Sequence, residues 1–399
     1  MSVLFQQTSI KGVDLKNRLV RSATVEGMAD ANGHPTRALF ELYERLAKGG
    51  VGLIITGAAY ISPDGRSPLY GGLGVHVDDV VPKYRELVES VHRSGARIAM
   101  QIVHAGRQTT KEAIGAKPMA PSVVKDKTLY VTPRAMTEED IDGVAETFAQ
   151  AARRVRDAGF DAVQIHGAHG YLVNQFLCPH TNRRTDKWGG SLDNRMRFVQ
   201  TIYERCRRQV GDDFPILVKI NGYDNMKHGL KIEESVVMAQ MMGEMGFDGI
   251  EVSCGIGEDG FSQLRGDIPM EAMLKEWPMY RDKNFLFHFI MKHFGRGMMN
   301  TPPLVQAYNR ESAKAIKCRV QVPVFLVGGL TDPTSMEDII EQGDADYISL
   351  SRSLIAEPEF VERIRSGSRK PSRCIHCNLC LAYLVGGPLR CYMGKMAPA

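Results

Sequence analysis

The phrases "AGFDAV" (Ala158–Val163), "MGFDGI" (Met245–Ile250) and "QGDADY" (Gln342–Tyr347) share one plan. In each, a helical pattern ends on Gly, an Asp follows closely, and an apolar run begins. Such recurrence marks one supersecondary unit used repeatedly. Eight short β-rich runs fit that unit: Arg18–Thr24, Val51–Tyr60, Arg97–Gly106, Ala162–Ala168, Ile216–Gly222, Gly249–Gly255, Val322–Leu330 and Tyr347–Ser353. They are nearly continuous in apolar residues, as expected of strands buried on both faces of a parallel sheet. Helical patterns separate them. One opens on Thr137 as N-cap with Glu in its first turn and stops at Gly159. Another opens on Ser191 and stops at Gly211, and "IEESVVMAQMMGEMG" behaves alike. Eight strand–helix units predict an α/β fold, a TIM (β/α)8 barrel.

Polar and glycine-rich residues gather where the runs end. They are His104–Gly106–Arg107, His166–His169–Tyr171, Lys219–Asn221, Gly328–Gly329 and Ser351–Arg352. In a barrel this C-terminal face carries the active site. One segment breaks the rhythm: an insertion over about 256–321, between strands six and seven, is far longer than ordinary connections. It is aromatic and Met-rich. "EWPMYRDKNFLFHFIMKHF" and "TPPLVQAYNRESAKAIK" within it read as helical, and the segment is expected to wall a substrate pocket. The barrel is expected over 1–370 and a cysteine-rich segment over 371–399.

Composition excludes several function classes. A net charge of +4 on 399 residues argues against a nucleic-acid partner or a polybasic membrane anchor. No apolar run reaches the roughly 18 residues of a membrane span. The N-terminus "MSVLFQQTSIKG" lacks the pattern of a signal peptide, so a cytoplasmic setting is expected. Disulfides are not expected in a large chain of this kind.

"CGIGEDG" (Cys254–Gly260) matches G-x-G-x-x-G after a strand. A dinucleotide turn there is rejected, because "FSQLRGDIP" brings Gly and Pro where a helix should start. Glu258 and Asp259 would also repel a pyrophosphate. His166 and His169 admit three readings: metal ligands, buried structural histidines, or two donors to one oxygen. No convincing third ligand stands near them. Tyr171 favours the third reading. Two donors on a carbonyl oxygen draw density from a conjugated double bond, and a phenol can then protonate carbon. Lys219, ending a buried strand, needs an anionic partner. The N1–C2=O2 region of a flavin would be one. Gly328, Gly329, Ser351 and Arg352 stand where barrels bind phosphate.

"IHGAHGYLVNQFLCPHTNRRTDKWGGSLDNRMRF" resembles the Old Yellow Enzyme family of FMN-dependent oxidoreductases. The resemblance runs from "LKNRLVRSAT" through "VGLIITGAAYISPDGR", "MQIVHAGRQ" and "GG" to "SLSRSLI". It implies that His166 and His169 hold the substrate's activating group and that Tyr171 donates the proton. It implies that Gln101 meets the flavin pyrimidine and that Lys219 is the cation beside N1. It assigns Ser22, Ala23, Thr24 and Ala58 to the isoalloxazine, and Gly328, Gly329, Ser351 and Arg352 to the phosphate. Many members carry Thr or Cys beside the flavin N5 and O4 edge; this chain has Val25 there, with Thr24 next to it.

Of eight cysteines, Cys178, Cys206, Cys254 and Cys318 are isolated, while Cys374, Cys377, Cys380 and Cys391 crowd the C-terminal segment. "CIHCNLCLAYLVGGPLRC" resembles the 4Fe-4S segment of 2,4-dienoyl-CoA reductase and trimethylamine dehydrogenase. Four thiolates suit such a cluster, and the same set suits structural zinc or unloaded thiols. The expected protein is an FMN oxidoreductase using NAD(P)H to reduce a carbonyl-conjugated C=C bond of a small molecule. The rival is a dehydrogenase of amines or other reduced substrates, passing electrons through the cluster to a partner protein. A non-enzymatic flavin-binding protein is disfavoured by the Tyr and His set. The NADH or NADPH choice and the oligomeric state stay open.

Overall fold

A computed structural model describes residues 2–298 and 301–393. Eight parallel strands close into a barrel: β1 (Leu19–Arg21), β2 (Leu53–Ile55), β3 (Arg97–Val103), β4 (Ala162–Gly167), β5 (Ile216–Asn221), β6 (Gly249–Ser253), β7 (Val324–Val327) and β8 (Tyr347–Leu350). Closure comes from β8 pairing with β1, through Ile348 opposite Leu19. An antiparallel hairpin, Thr8–Ile10 with Val13–Leu15, supplies Ile10 and Leu15 to the apolar cluster formed by inner residues Val20, Leu53, Ala99, Ala162, Leu217, Phe325 and Tyr347.

The repeated Asp has a physical role. Asp161 accepts from Ile98 N at 2.8 Å, Asp248 from Ile216 N at 2.8 Å, and Asp346 from Val324 N at 2.7 Å. Each sits before an even-numbered strand and satisfies an amide at the start of the preceding one, the first in β5 and β7 and the second in β3. The motif thus welds β3 to β4, β5 to β6 and β7 to β8.

The expected helix limits hold. Thr137 caps helix Glu138–Asp157 in a capping box with Asp140, bonds of 3.1 and 2.7 Å. Ser191 caps helix Leu192–Val210, which ends at Gly211 with φ +79°. Two readings need correction. Val51–Tyr60 is not one strand. It holds β2 and a separate short strand, Ala59–Tyr60, both paired with β3, with Thr56–Ala58 interrupting the ladder between them. Thr301–Lys317 is helical only over Arg310–Lys317, because Pro302 and Pro303 cannot continue a helical ladder and bias the residues before them to extended backbone.

The insertion forms helices Met270–Glu276, Pro278–Arg281 and Phe285–Met298. Its first helix packs against the cysteine-bearing tail: Ala272 and Met273 bury with Ala382, and Trp277 Nε1 donates to Ala382 O at 3.1 Å. Helix Phe285–Met298 leaves Phe285, Leu286, Phe289, Ile290 and Phe294 exposed, so this part of the insertion does not wall an enclosed pocket. No described helix is long and apolar enough to cross a membrane.

Candidate active site

Along each barrel strand the inward positions alternate, and their character changes with height. Low positions are apolar. One or two steps nearer the C-terminal end they become polar: Gln101, then Gln164 and His166, then Lys219 and Asn221, then Glu251 and Ser253. These side chains floor the barrel mouth. Lys219 stands opposite both His166 and Glu251 in the strand register. Its ammonium lies 3.1 Å from Glu251 Oε2 and donates to Ser22 Oγ at 3.0 Å. The anion beside Lys219 in this chain is therefore Glu251. Gln164 Nε2 donates to that same carboxylate oxygen at 3.0 Å, and Gln101 Nε2 donates to Gln164 Oε1 at 2.7 Å.

His166, His169 and Tyr171 come together above this floor. The two imidazole centroids are 5.2 Å apart, and the phenol ring lies 4.9 Å from His166. His169 adopts φ +61°, an unusual left-handed conformation for this residue. Asn221 Oδ1 accepts from its N–H at 3.2 Å, and Asn174 Oδ1 accepts from Gly170 N at 2.8 Å. Burial depresses both imidazoles, His166 well below the ordinary range and His169 to about 3, with Lys219 adding to each. Both are neutral near pH 7, and each carries one N–H. His166 Nδ1 faces the Ala168 amide at 3.4 Å, an arrangement that puts the proton on Nε2. His169 Nε2 is bonded to Ser253 Oγ at 2.7 Å, so a shared ligand oxygen would compete for that nitrogen or use Nδ1. Burial raises the Tyr171 phenol, with a hydrogen bond to Ser67 as the opposing influence.

The strand-one end closes onto strand eight: Thr24 Oγ1 and Ser351 Oγ are 2.8 Å apart. Ala23 and Val25 flank Thr24 there, and Ala58 lies in the segment after β2. The expected phosphate residues take a different form from the one read in the sequence. Gly328 and Gly329 have φ +129° and +67°, and a Cβ on Gly328 would lie 2.6 Å from the Tyr308 ring. Glycine is thus required on that side by Tyr308 from the end of the insertion. Arg352 already meets two neutral acceptors through one nitrogen. It donates to Arg265 O at 2.7 Å and to Asn378 Oδ1 at 2.6 Å, tying β8 to the insertion and the tail.

The tail returns over the same face. Ser372 N donates to Thr331 O at 2.8 Å, and Leu389 N to Glu26 O at 2.7 Å. Cys374, Cys377, Cys380 and Cys391 are all free and partly buried. Burial raises the Cys374 thiol and pushes Cys380 to about 11, and neighbouring cysteines push both the same way; the His376 backbone amide and Arg352 oppose this at Cys374, and Arg352 at Cys380. Among the described residues, no three His, Cys, Asp or Glu side chains are gathered closely enough to hold a metal ion.

Sequence reading missed Gln164, Glu251, Ser253, Tyr308 and Asn378. The first three carried a signal: Gln164 stands at strand period two from His166, and Glu251 and Ser253 are polar residues two apart inside an apolar run. Tyr308 and Asn378 act through long-range packing, which no local pattern shows.

The chain is 35% identical over 379 residues to an NADH oxidase of Thermoanaerobacter brockii, covering 94% of this chain and 53% of that protein. It is 33% identical over 356 residues to an NADPH dehydrogenase of Halalkalibacterium halodurans, covering 89% of this chain and 91% of that one. The chain spans about half the length of the first curated relatives it matches. Among solved structures, a 2-naphthoyl-CoA reductase in complex with 2-naphthoyl-CoA superposes with a TM-score of 0.82 at 25% identity, over 96% of this chain and 55% of that one. Morphinone reductase in complex with tetrahydroNAD gives 0.69 at 25% identity, over 91% and 90%. The model of the NADH:flavin oxidoreductase / NADH oxidase family matches residues 3–255 and 282–370, leaving out the start of the insertion and the tail, and the chain belongs to that family.

Proposed function

We propose that the barrel binds FMN, takes reducing equivalents from NAD(P)H and reduces a C=C bond conjugated to a carbonyl. The neutral His166–His169 pair beside a protonated Tyr171 is the observation that carries this reading. The residues fit a flavin. Gln101, Lys219 and Ser22 offer polar atoms for a pyrimidine ring, and the buried Ser349 hydroxyl, near the end of β8, has no partner among the described residues. Ala23, Thr24 and Ala58 would face the isoalloxazine, and Gly328, Gly329, Ser351 and Arg352 the phosphate end. FMN, when bound, supplies the hydride.

The chain's own side chains do the rest. His166 and His169 donate to the substrate carbonyl oxygen, lowering the cost of negative charge there. Neutral imidazoles serve as donors without protonating that oxygen outright. Tyr171 gives its proton to the α-carbon, which its raised pKa permits at neutral pH.

The four tail cysteines support a second reading, in which Cys374, Cys377, Cys380 and Cys391 close around a 4Fe-4S cluster that exchanges electrons with a partner protein. Their spacing in the tail and Arg352, a cation suited to thiolates, favour it, although the described side chains would have to close up to hold a metal. Zinc on the same ligands is the alternative. Anaerobic purification with iron, sulfide and zinc analysis, followed by turnover of a cyclic enone with NADH or NADPH, tests both. Noncovalent FMN, oxidation of NAD(P)H dependent on the enone and a saturated ketone product are expected. About four irons and four sulfides per chain are expected with the cluster. Flavin that an amine reduces but an enone cannot reoxidise would replace this function with the dehydrogenase. Stoichiometric zinc without iron would end the electron-transfer reading.

A further inference from the structure

We propose that Glu251 is a positioning residue for the flavin: it sets the direction of the Gln164–Gln101 amide pair and balances the charge of Lys219. The inference rests on the FMN reading above.

A carboxylate facing an amide can only accept. Glu251 Oε2 therefore takes Gln164 Nε2, at 3.0 Å, and turns Gln164 Oε1 the other way. That oxygen must in turn be met by a donor, and Gln101 Nε2 meets it at 2.7 Å. Gln101 is thus left with its own carbonyl as the acceptor for whatever lies above it. A flavin pyrimidine offers an N–H donor at N3, which matches. Amides flip at little cost when their neighbours can both donate and accept. Here one fully buried carboxylate, 0% exposed, decides two flips in series.

The same oxygen sits 3.1 Å from the Lys219 ammonium, and both side chains are buried. Glu251 Oε1 has no hydrogen-bond partner among the described residues. A buried lysine alone beneath a flavin would strongly favour the more negatively charged, reduced state. Glu251 offsets part of that pull, so the pair lowers the flavin's potential relative to a lone cation.

The test uses the whole chain, stripped of flavin and reconstituted with FMN, and reads midpoint potential and FMN affinity. Glu251→Gln keeps the shape, removes the charge and can donate. Its midpoint should rise by at least about 30 mV, a tenfold change in a two-electron equilibrium. Gln164→Leu cuts the amide chain but keeps the ion pair; it should weaken FMN binding about tenfold or more, roughly 1.4 kcal/mol, with the midpoint near the parent value. A Glu251→Gln midpoint equal to the parent's overturns the proposal, as does a Gln164→Leu variant that binds FMN as tightly as the parent. Should Glu251→Gln fail to fold, Lys219→Met is compared with Lys219→Met/Glu251→Gln. The double variant should have the higher midpoint, and equal midpoints overturn the charge balance. Failure of the unaltered chain to take up FMN is a separate result that removes the FMN reading itself.

Discussion

Tyr171→Phe removes a single oxygen from the barrel mouth and leaves the ring. Burial raises this phenol above its ordinary pKa of 10, so it is protonated throughout the neutral range. The ring lies 4.9 Å from His166, the imidazole assigned to the substrate carbonyl. A general acid so placed contributes about 10²–10⁴-fold, or roughly 2.7–5.4 kcal/mol at 1.36 kcal/mol per tenfold. Against that stands the loss of any one hydrogen bond the hydroxyl makes, about 0.5–1.5 kcal/mol. The catalytic term is larger, and it belongs to one half-reaction only. Anaerobic stopped-flow at the flavin absorbance separates the two. Reoxidation by an enone should slow at least about 100-fold, while reduction by NAD(P)H stays near the parent rate. The parent reoxidation rate should also hold level to about pH 9 and fall only as the raised phenol ionises. Equal losses in both half-reactions would show that Tyr171 acts through packing, and an unchanged reoxidation rate would remove it from proton transfer.

Replacing His166 and His169 together with Ala should abolish the long-wavelength band of a bound phenolate and leave FMN in place; loss of FMN as well would make the pair structural. Because burial lowers the folded-state pKa of His169 to about 3, its contribution to stability is fully present above about pH 6.5 and is lost as pH falls through the window down to 3. His169→Gln should therefore flatten the decline of urea midpoints between about pH 6.5 and 4, and parallel curves would contradict that assignment. Thr137→Ala should cost about 1 kcal/mol in the same denaturation, because it removes one side of the capping box on helix Glu138–Asp157.

The barrel was legible because its strands are buried on both faces and its units repeat. Asp161, Asp248 and Asp346 mark the repeat for a reason visible only in three dimensions: each bonds an amide at the start of the neighbouring strand. Helix ends at Thr137, Ser191 and Gly211 were legible because caps are local chemistry. Val51–Tyr60 misled because the Thr56–Ala58 segment is as apolar and small as the strands beside it. The His166, His169 and Tyr171 group could be read because its members are nearly adjacent in the chain. Glu251 stands 32 positions from Lys219 and 87 from Gln164, so only barrel closure brings the three together.

Arg352 shows what such distance does to a residue's role. In the sequence it is a cation at the end of strand eight, suited to phosphate. In the fold one of its nitrogens serves Arg265 O and Asn378 Oδ1, and Asn378 Nδ2 itself donates to Leu264 O at 2.8 Å and Asp267 O at 2.9 Å. The insertion, the end of β8 and the turn between Cys377 and Cys380 are thus held by one knot of buried polar groups. Buried networks of this kind lose much when one member goes, since the others are left unpaired. The same guanidinium also opposes the burial that raises the Cys374 and Cys380 thiols. Whatever the cysteines hold, its charge would bear on the group that is also expected to meet the flavin phosphate. If Arg352 meets the flavin phosphate as proposed, the tail and the flavin site would form one electrostatic unit joined through it.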